Sequence, residues 1–545
     1  TVTGPVSGNA ISLSSDTIDL AGNITAPTQL ALGSTGTITQ SAGSITTGAL
    51  TSEGSIGGDV ILTATNSIAS LAAFTLGGTL DLADTGLLTV DGPVAGPVVS
   101  LSSGTINLAG NITAPTQLAL GSTGKITQSA GSITTGDLTS EGSIGGDVIL
   151  TAANAIASLA AFTLGGTLDL NNTGLLTVTG PVTGNAVSLS SGSINLAGNI
   201  TAPDILSLNS TGDISQSAGA ILTPALYLTA GGSVTQTGGT ISAQNATLAG
   251  DNFNLRGTTN IADILQINAT GSIVHDAGIL TAGTFTGSAP QLASFAADTD
   301  FATLGSFIMQ DSFFALANTG PLIIIGPVVA GSVDISAAGQ ITLQGSPDGG
   351  LFIKGSIAPD KQPSPRPGDS SITSTPGANS PAAIIQTGNF QINTGTPATF
   401  YTGTQSQAAT IFFTTSPNGT IQFAPYPDEL DAPSVDIVVA SGPNGTIAGN
   451  INVKHLEIQT AQTVNLTGSI NGVAGSAAAG NGSVYPSPKP QFQFNSCPIG
   501  SVNCTILPID ALPAGNPLDN FDVKTRKRKK LDRNVQLPGV ATRDF

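Results

Sequence analysis

Carboxylates in pairs are the first residues here that could do chemistry. Asp16 and Asp19 lie three apart, and Asp298 and Asp300 lie two apart. Two such groups serve as acid and base when a sugar polymer is hydrolysed or cleaved by elimination. That chemistry also needs a cation or imidazole beside the carboxylates. Residues 1–353 offer only Lys125, Arg256 and His275. His275 stands where the related segments have Gln40 and Gln128, so the pattern predicts an exposed loop residue. His455 is equally isolated, so the abundant Ser and Thr have no base to activate them. Gly57-Gly-Asp59 and Gly145-Gly-Asp147 resemble calcium-binding turns but are not iterated as such turns require. Cys497 and Cys504 are the only cysteines, and with no His nearby they fall short of a zinc site. The expectation is a non-enzymatic chain with no metal or cofactor, the Asp pairs being structural or solubilising.

What must position these residues is an internal repeat. Ala21–Ala64 recurs as Ala109–Ala152, 88 residues later, with two changes: Thr37 becomes Lys125 and Ala49 becomes Asp137. The opening Ala-Gly-Asn-Ile-Thr-Ala-Pro returns at Ala197. Both changes introduce charge, which predicts solvent-facing positions. A repeat of this kind implies stacked units leaning on their neighbours rather than a globule around one pocket.

Each copy divides further. Turn-like Gly or Asx positions recur at Asp16, Gly36, Asn66, Gly86, Gly104, Gly124, Asn154, Gly174, Gly192, Gly212 and Gly232. Most spacings are 18–20 residues, with one of 30 per copy. The long interval holds Ser52–Asp59 or Ser140–Asp147 and reads as a coil with an added loop or short hairpin. Between turns apolar residues alternate, as in Ile11/Leu13, Ile18/Leu20 and Leu80/Leu82, the period of a strand with one buried face. Short strands, Gly and Asn turns and a unit of about 20 residues predict an all-β fold. The expected architecture is a β-solenoid, read as a right-handed parallel β-helix, with an irregular C-terminal tail. With coils about 4.8 Å apart it would be a rod on the order of 100 Å long. The rarity of aromatics fits a narrow core of branched aliphatics.

The expected organisation is a solenoid over 1–345, with copies at about 21–108, 109–196 and 197–284, the last degenerate. A Pro/Ser/Gly-rich excursion covers 346–383, degenerate coils 384–476, and the tail 477–545. Leu316-Ala-Asn-Thr-Gly echoes Leu82-Ala-Asp-Thr-Gly, so the pattern persists beyond the clear copies. Thr1–Val6 aligns with Thr89–Val94 and Thr177–Val182, which reads as a chain beginning within a repeat, the C-terminal part of a longer polypeptide. The net charge of -18 argues against nucleic acid as partner, because phosphate neutralisation needs Lys and Arg. Basic residues gather instead in Lys524, Arg526, Lys527, Arg528, Lys529, Lys530 and Arg533. That run suits contact with an anionic surface or anchor, or is a solvated charge run.

The repeat style resembles the filamentous-haemagglutinin type of exoprotein exported by two-partner secretion in Gram-negative bacteria. The tail carries the more specific likeness: Thr467–Ala478, Asn495–Cys504, Asn516–Asp522, and the basic run leading to Pro538–Phe545. The resemblance implies a cell-surface or extracellular protein that passes an outer-membrane secretion pore. It implies adhesion, aggregation, biofilm formation or fibres, with a host surface, glycan, neighbouring cell or second copy as partner. In an exported chain Cys497 and Cys504 would close one small disulfide loop, serving as a local staple or, as in some of these adhesins, as a tether at the pore.

Overall fold

In the computed structural model the described residues are 1–310 and 312–344, together with the backbone of the strands between 350 and 496. Secondary structure among them is all strand, and the ladders are parallel. The fold is a parallel β-solenoid with coils of about 20 residues. It divides into two compact units, Thr1–Ile261 and Ala262–Phe545.

The first unit shows why this sequence makes coils. Strand Ile24–Ser34 bends at Pro27-Thr28: its start pairs with Val6–Ser7 and its end with Ala10–Ser15. Ile38–Gln40 then lies on Ile18–Leu20, so one coil closes on the previous one. The period-two alternation puts Ile18, Leu20, Ile24, Leu30, Leu32 and Ile38 inside, all buried. Each such side chain contributes about 1.5–3 kcal/mol through burial. The outward Lys125 and Asp137 are exposed, as their variation between copies predicts.

One column can be followed through the whole unit: Ile18, Ile38, Val60, Leu80, Val99, Leu118, Leu138, Leu159, Val178, Leu196, Gln216, Gln236 and Leu255. Its steps are 18 to 22 residues. No step is 30, which corrects the reading of an added loop or hairpin. Ser55–Ile56, inside the supposed excursion, is an ordinary wall strand paired parallel with Thr75–Leu76. The long interval arises because Asn66 and Asn154 are not turn residues. Both are buried, at 1% and 0% exposure.

The column also shows how the sequence repeat maps onto the coil. Four steps from Ile18 reach Val99 and a fifth reaches Leu118. The repeat-equivalent of Ile18 is Ile106, which lies between them and stacks instead on Leu88 and under Ile126. Nine steps reach Leu196, two residues from the second equivalent, Ile194. One 88-residue copy is therefore about four and a half coils. Consecutive copies present the same segments on opposite sides of the stack.

The second unit keeps the coil but changes its filling. Ile273, Ala293, Phe314 and Val333 form one column. Five buried phenylalanines pack together: Phe285 stacks on Phe301 at 4.5 Å and meets Phe295 edge-on at 5.0 Å, with Phe307 and Phe314 alongside. Among the described residues the core there holds this aromatic cluster beside Leu, Ile and Val, where composition alone suggested branched aliphatics throughout.

Candidate functional surface

The chemistry-bearing side chains go to two places, the interior and the corners. Inside the first copy Gln40 and Asn66 form a reciprocal amide pair. Gln40 Nε2 donates to Asn66 Oδ1 at 2.8 Å, and Asn66 Nδ2 donates to Gln40 Oε1 at 3.0 Å. Asn66 Oδ1 also accepts the Ile45 N–H at 2.9 Å, and its Nδ2 reaches the carbonyls of Leu62 and Ala83. Gln128 and Asn154 repeat the arrangement at 2.8 and 3.0 Å. In the third copy Gln236 donates to Gln216 at 2.9 Å and accepts from Thr259 at 3.0 Å. These groups satisfy buried backbone donors and acceptors that water cannot reach.

A second interior position shows one task done with different chemistry. Asp84 accepts from Ile68 N at 2.7 Å, Gly86 N at 2.8 Å and Ser103 Oγ at 2.9 Å. Its equivalent is Asn172, which accepts from Ile156 N at 2.7 Å but donates to Ser191 Oγ at 3.1 Å. Ser191 Oγ in turn donates to the Gly174 carbonyl at 2.6 Å. Asn318, identified by its sequence echo, accepts from Phe301 N at 2.7 Å and donates to the Phe301 and Gly320 carbonyls.

His275 belongs to this interior. It ends strand Ser272–His275, is 1% exposed, and places Nε2 3.4 Å from the Asp298 backbone oxygen. The exposed-loop expectation is thus corrected. The alignment with Gln40 and Gln128 was sound, but those glutamines themselves point inward on strands.

The paired carboxylates are at corners and on outward faces. Asp16 caps the next coil, accepting Thr35 Oγ1 at 3.2 Å on its side chain and Gly36 N at 2.8 Å on its carbonyl. Asp19 is half-buried, and its Oδ1 lacks a hydrogen-bond partner. Asp298 and Asp300 alternate outward along Leu292–Ile308 and are exposed. Asp59, Asp147 and Asp213 each accept a backbone N–H of the following coil, from Thr79, Thr167 and Ser233. Among the described residues no three of His, Cys, Asp and Glu gather as a metal site.

One carboxylate pair is built across copies. Ser100 Oγ donates to Glu141 Oε2 at 3.1 Å and also hydrogen-bonds Asp81. Burial holds the Asp81 carboxyl above its ordinary range, Glu141 pushes it further up, and Ser100 partly offsets both.

Hydroxyl and amide side chains form several outward columns, with Leu87, Leu175, Leu222 and Tyr227 exposed among them. One outward column reads Asp137, Ser158, Thr177, Asn195, Ser215, Thr235 and Asn254. Two others are repeat-equivalents: Ser55, Thr75, Ala95, Thr113, Thr134 and Ser143, Thr163, Thr183, Thr201, Leu222. Cys497, Cys504, Lys524, Arg526, Lys527, Arg528, Lys529, Lys530 and Arg533 lie outside the described residues. In comparisons with known proteins, no family model, characterised protein or solved structure matches this chain.

Proposed function

We propose that this chain is a non-enzymatic, exported surface protein of a Gram-negative bacterium, an adhesin or aggregation factor working by multivalent contact. The supporting observation is where the reactive side chains go. Gln, Asn and the buried Asp84 serve the coil interior, and corner Asp residues cap backbone. Much of what remains outward is repeated Ser, Thr and Asn, with single exposed apolar residues such as Leu87, Leu175 and Leu222 among them, suited to many weak contacts that add through avidity. The partner class is a glycan, host surface or neighbouring cell. Export would use an outer-membrane two-partner-secretion pore, as in filamentous-haemagglutinin-like proteins. The tail with Cys497, Cys504 and the run Lys524–Lys530 would fix one end.

A second reading, a component of an extracellular fibre or surface layer, is favoured by the half-turn between copies. Equivalent columns on opposite sides allow neighbours to pack on both. Surface attachment and cell–cell aggregation of a strain lacking the gene, beside electron microscopy of its envelope, separates the two. Lost adhesion with an unchanged envelope supports the adhesin. Normal adhesion with a missing fibre or layer supports the structural reading. No change in either sinks both, and a glycan-degradation assay would follow.

A further inference from the structure

We propose that Asn23, Asn111 and Asn199 are N-glycosylation sites. Each opens the triplet Asn-Ile-Thr, with Thr25, Thr113 and Thr201 completing the acceptor motif Asn-x-Thr. The motif alone is common in a chain so rich in Ser and Thr. Recurrence sets these three apart: all are exposed, at the same corner of successive copies, whereas the exposed triplets at Asn209 and Asn245 have no counterpart at Gly121 and Ala157.

In each, the side-chain oxygen is engaged by the coil above. Asn23 Oδ1 accepts Ser44 N at 3.0 Å, Asn111 Oδ1 accepts Ser132 N at 3.0 Å, and Asn199 Oδ1 accepts Ala220 N at 2.8 Å. That bond engages the amide oxygen and leaves Nδ2 as the atom to carry a sugar. By contrast Asn171, in another Asn-x-Thr triplet, donates its Nδ2 to the Thr151 carbonyl at 3.3 Å.

The glycine side of the corner is also bare. The residue before each asparagine is a glycine stacked between glycines of adjoining coils: Gly4, Gly22 and Gly43; Gly92, Gly110 and Gly131; Gly180, Gly198 and Gly219. A Cβ on any upper member of these stacks would meet the backbone of the coil beneath. The strip beside each asparagine therefore has no side chains to obstruct a glycan.

The acceptor takes a sugar diphosphate through a transferase. Nδ2 attacks the anomeric carbon, forming the C–N bond as the C–O bond to the diphosphate breaks. The diphosphate leaves with the bonding electrons, and the amide proton passes to a base of the transferase. The modified amide keeps its oxygen, so the bond to the coil above survives. Successive sugars would stand on opposite sides, four and a half coils apart, about 22 Å along the stack. The inference does not depend on what the surface binds.

The test is peptide mass spectrometry, with fragmentation, of the protein purified from the organism that makes it. The variants are Thr25→Ala, Thr113→Ala and Thr201→Ala, which keep each asparagine and its backbone bond. The expected result is a sugar on all three asparagines, lost only at the altered site in each variant, with an unchanged far-UV circular dichroism spectrum. Unmodified asparagine at all three, sugar confined to Ser or Thr, or a sugar that persists after Thr→Ala would overturn the proposal.

Discussion

Gln40 and Asn66 face each other inside the coil stack as a reciprocal amide pair, each donating to and accepting from the other at 2.8 and 3.0 Å. The pair joins positions 26 residues apart and ties them to the backbone N–H of Ile45. Such a pair resists one-sided replacement, because an orphaned buried amide costs about 1–3 kcal/mol. In the second copy Asn154→Leu leaves the Ile133 N–H without its acceptor and strips Gln128 of its two shortest bonds, leaving it only the longer ones to the Gly131 carbonyl and the Ala152 N–H. The expected loss is about 3 kcal/mol of local stability. Hydrogen exchange at the Ile133 amide reads it directly, and unchanged protection there would refute the role assigned to Asn154.

Asp84 and Asn172 do one job with opposite hydrogen-bond polarity. Asp84→Asn recreates the second copy's chemistry in the first, with Ser103 keeping the Gly86 carbonyl as acceptor. It is expected to cost less than about 1 kcal/mol. Asp84→Leu removes the acceptor from Ile68 N and Gly86 N and is expected to cost about 2–4 kcal/mol. Chemical denaturation of both variants checks the contrast. Equal losses would mean that volume, not hydrogen bonding, holds the position.

The coil was legible in the sequence because its signal is local. Alternation as in Ile18/Leu20 fixes which side chains turn inward, and corner glycines such as Gly36 and Gly124 give the coil length. Asn66 and His275 read as turn residues in sequence for one reason: a polar residue at the end of an apolar alternation looks like the start of a turn. Only the ladder shows that the coil interior has backbone groups for them to satisfy. The half-turn between copies was hidden because it depends on coil steps of 18 to 22 residues, which no single strand specifies. The Asp81–Glu141 pair was hidden likewise, since its members come from different copies and meet only through the stack.

Gly131 and Gly142 separate two reasons for glycine. Both have positive φ, 67° and 72°. A Cβ at Gly131 would meet the Gly110 backbone, whereas at Gly142 it would meet nothing within 4 Å. Gly142→Ala bears only the left-handed backbone penalty, about 1 kcal/mol. Gly131→Ala adds a backbone collision between coils and is expected to cost at least about 3 kcal/mol. Thermal unfolding of the two variants checks the order. Equal shifts would argue that the coils separate at that corner at little cost.

Asp81 gives the stack a pH response. Its carboxyl is held above the ordinary value by burial first and by Glu141 second. A folded-state value above the unfolded one means that the native chain takes up the proton more readily. The Asp81 contribution to stability is therefore fully present below the ordinary Asp range and is lost as pH rises through the raised folded value. Asp81→Asn removes the charge that folding disfavours. The variant is expected to gain on wild type at neutral pH, with the gain vanishing below the ordinary Asp range. Glu141→Gln should move the Asp81 titration back toward its usual value while leaving the carboxyl half-buried. Carboxyl-detected NMR titration of Asp81 in wild type and Glu141→Gln measures this. An unshifted Asp81 in the variant would assign the whole effect to burial, and a downward shift would establish the coupling between copies.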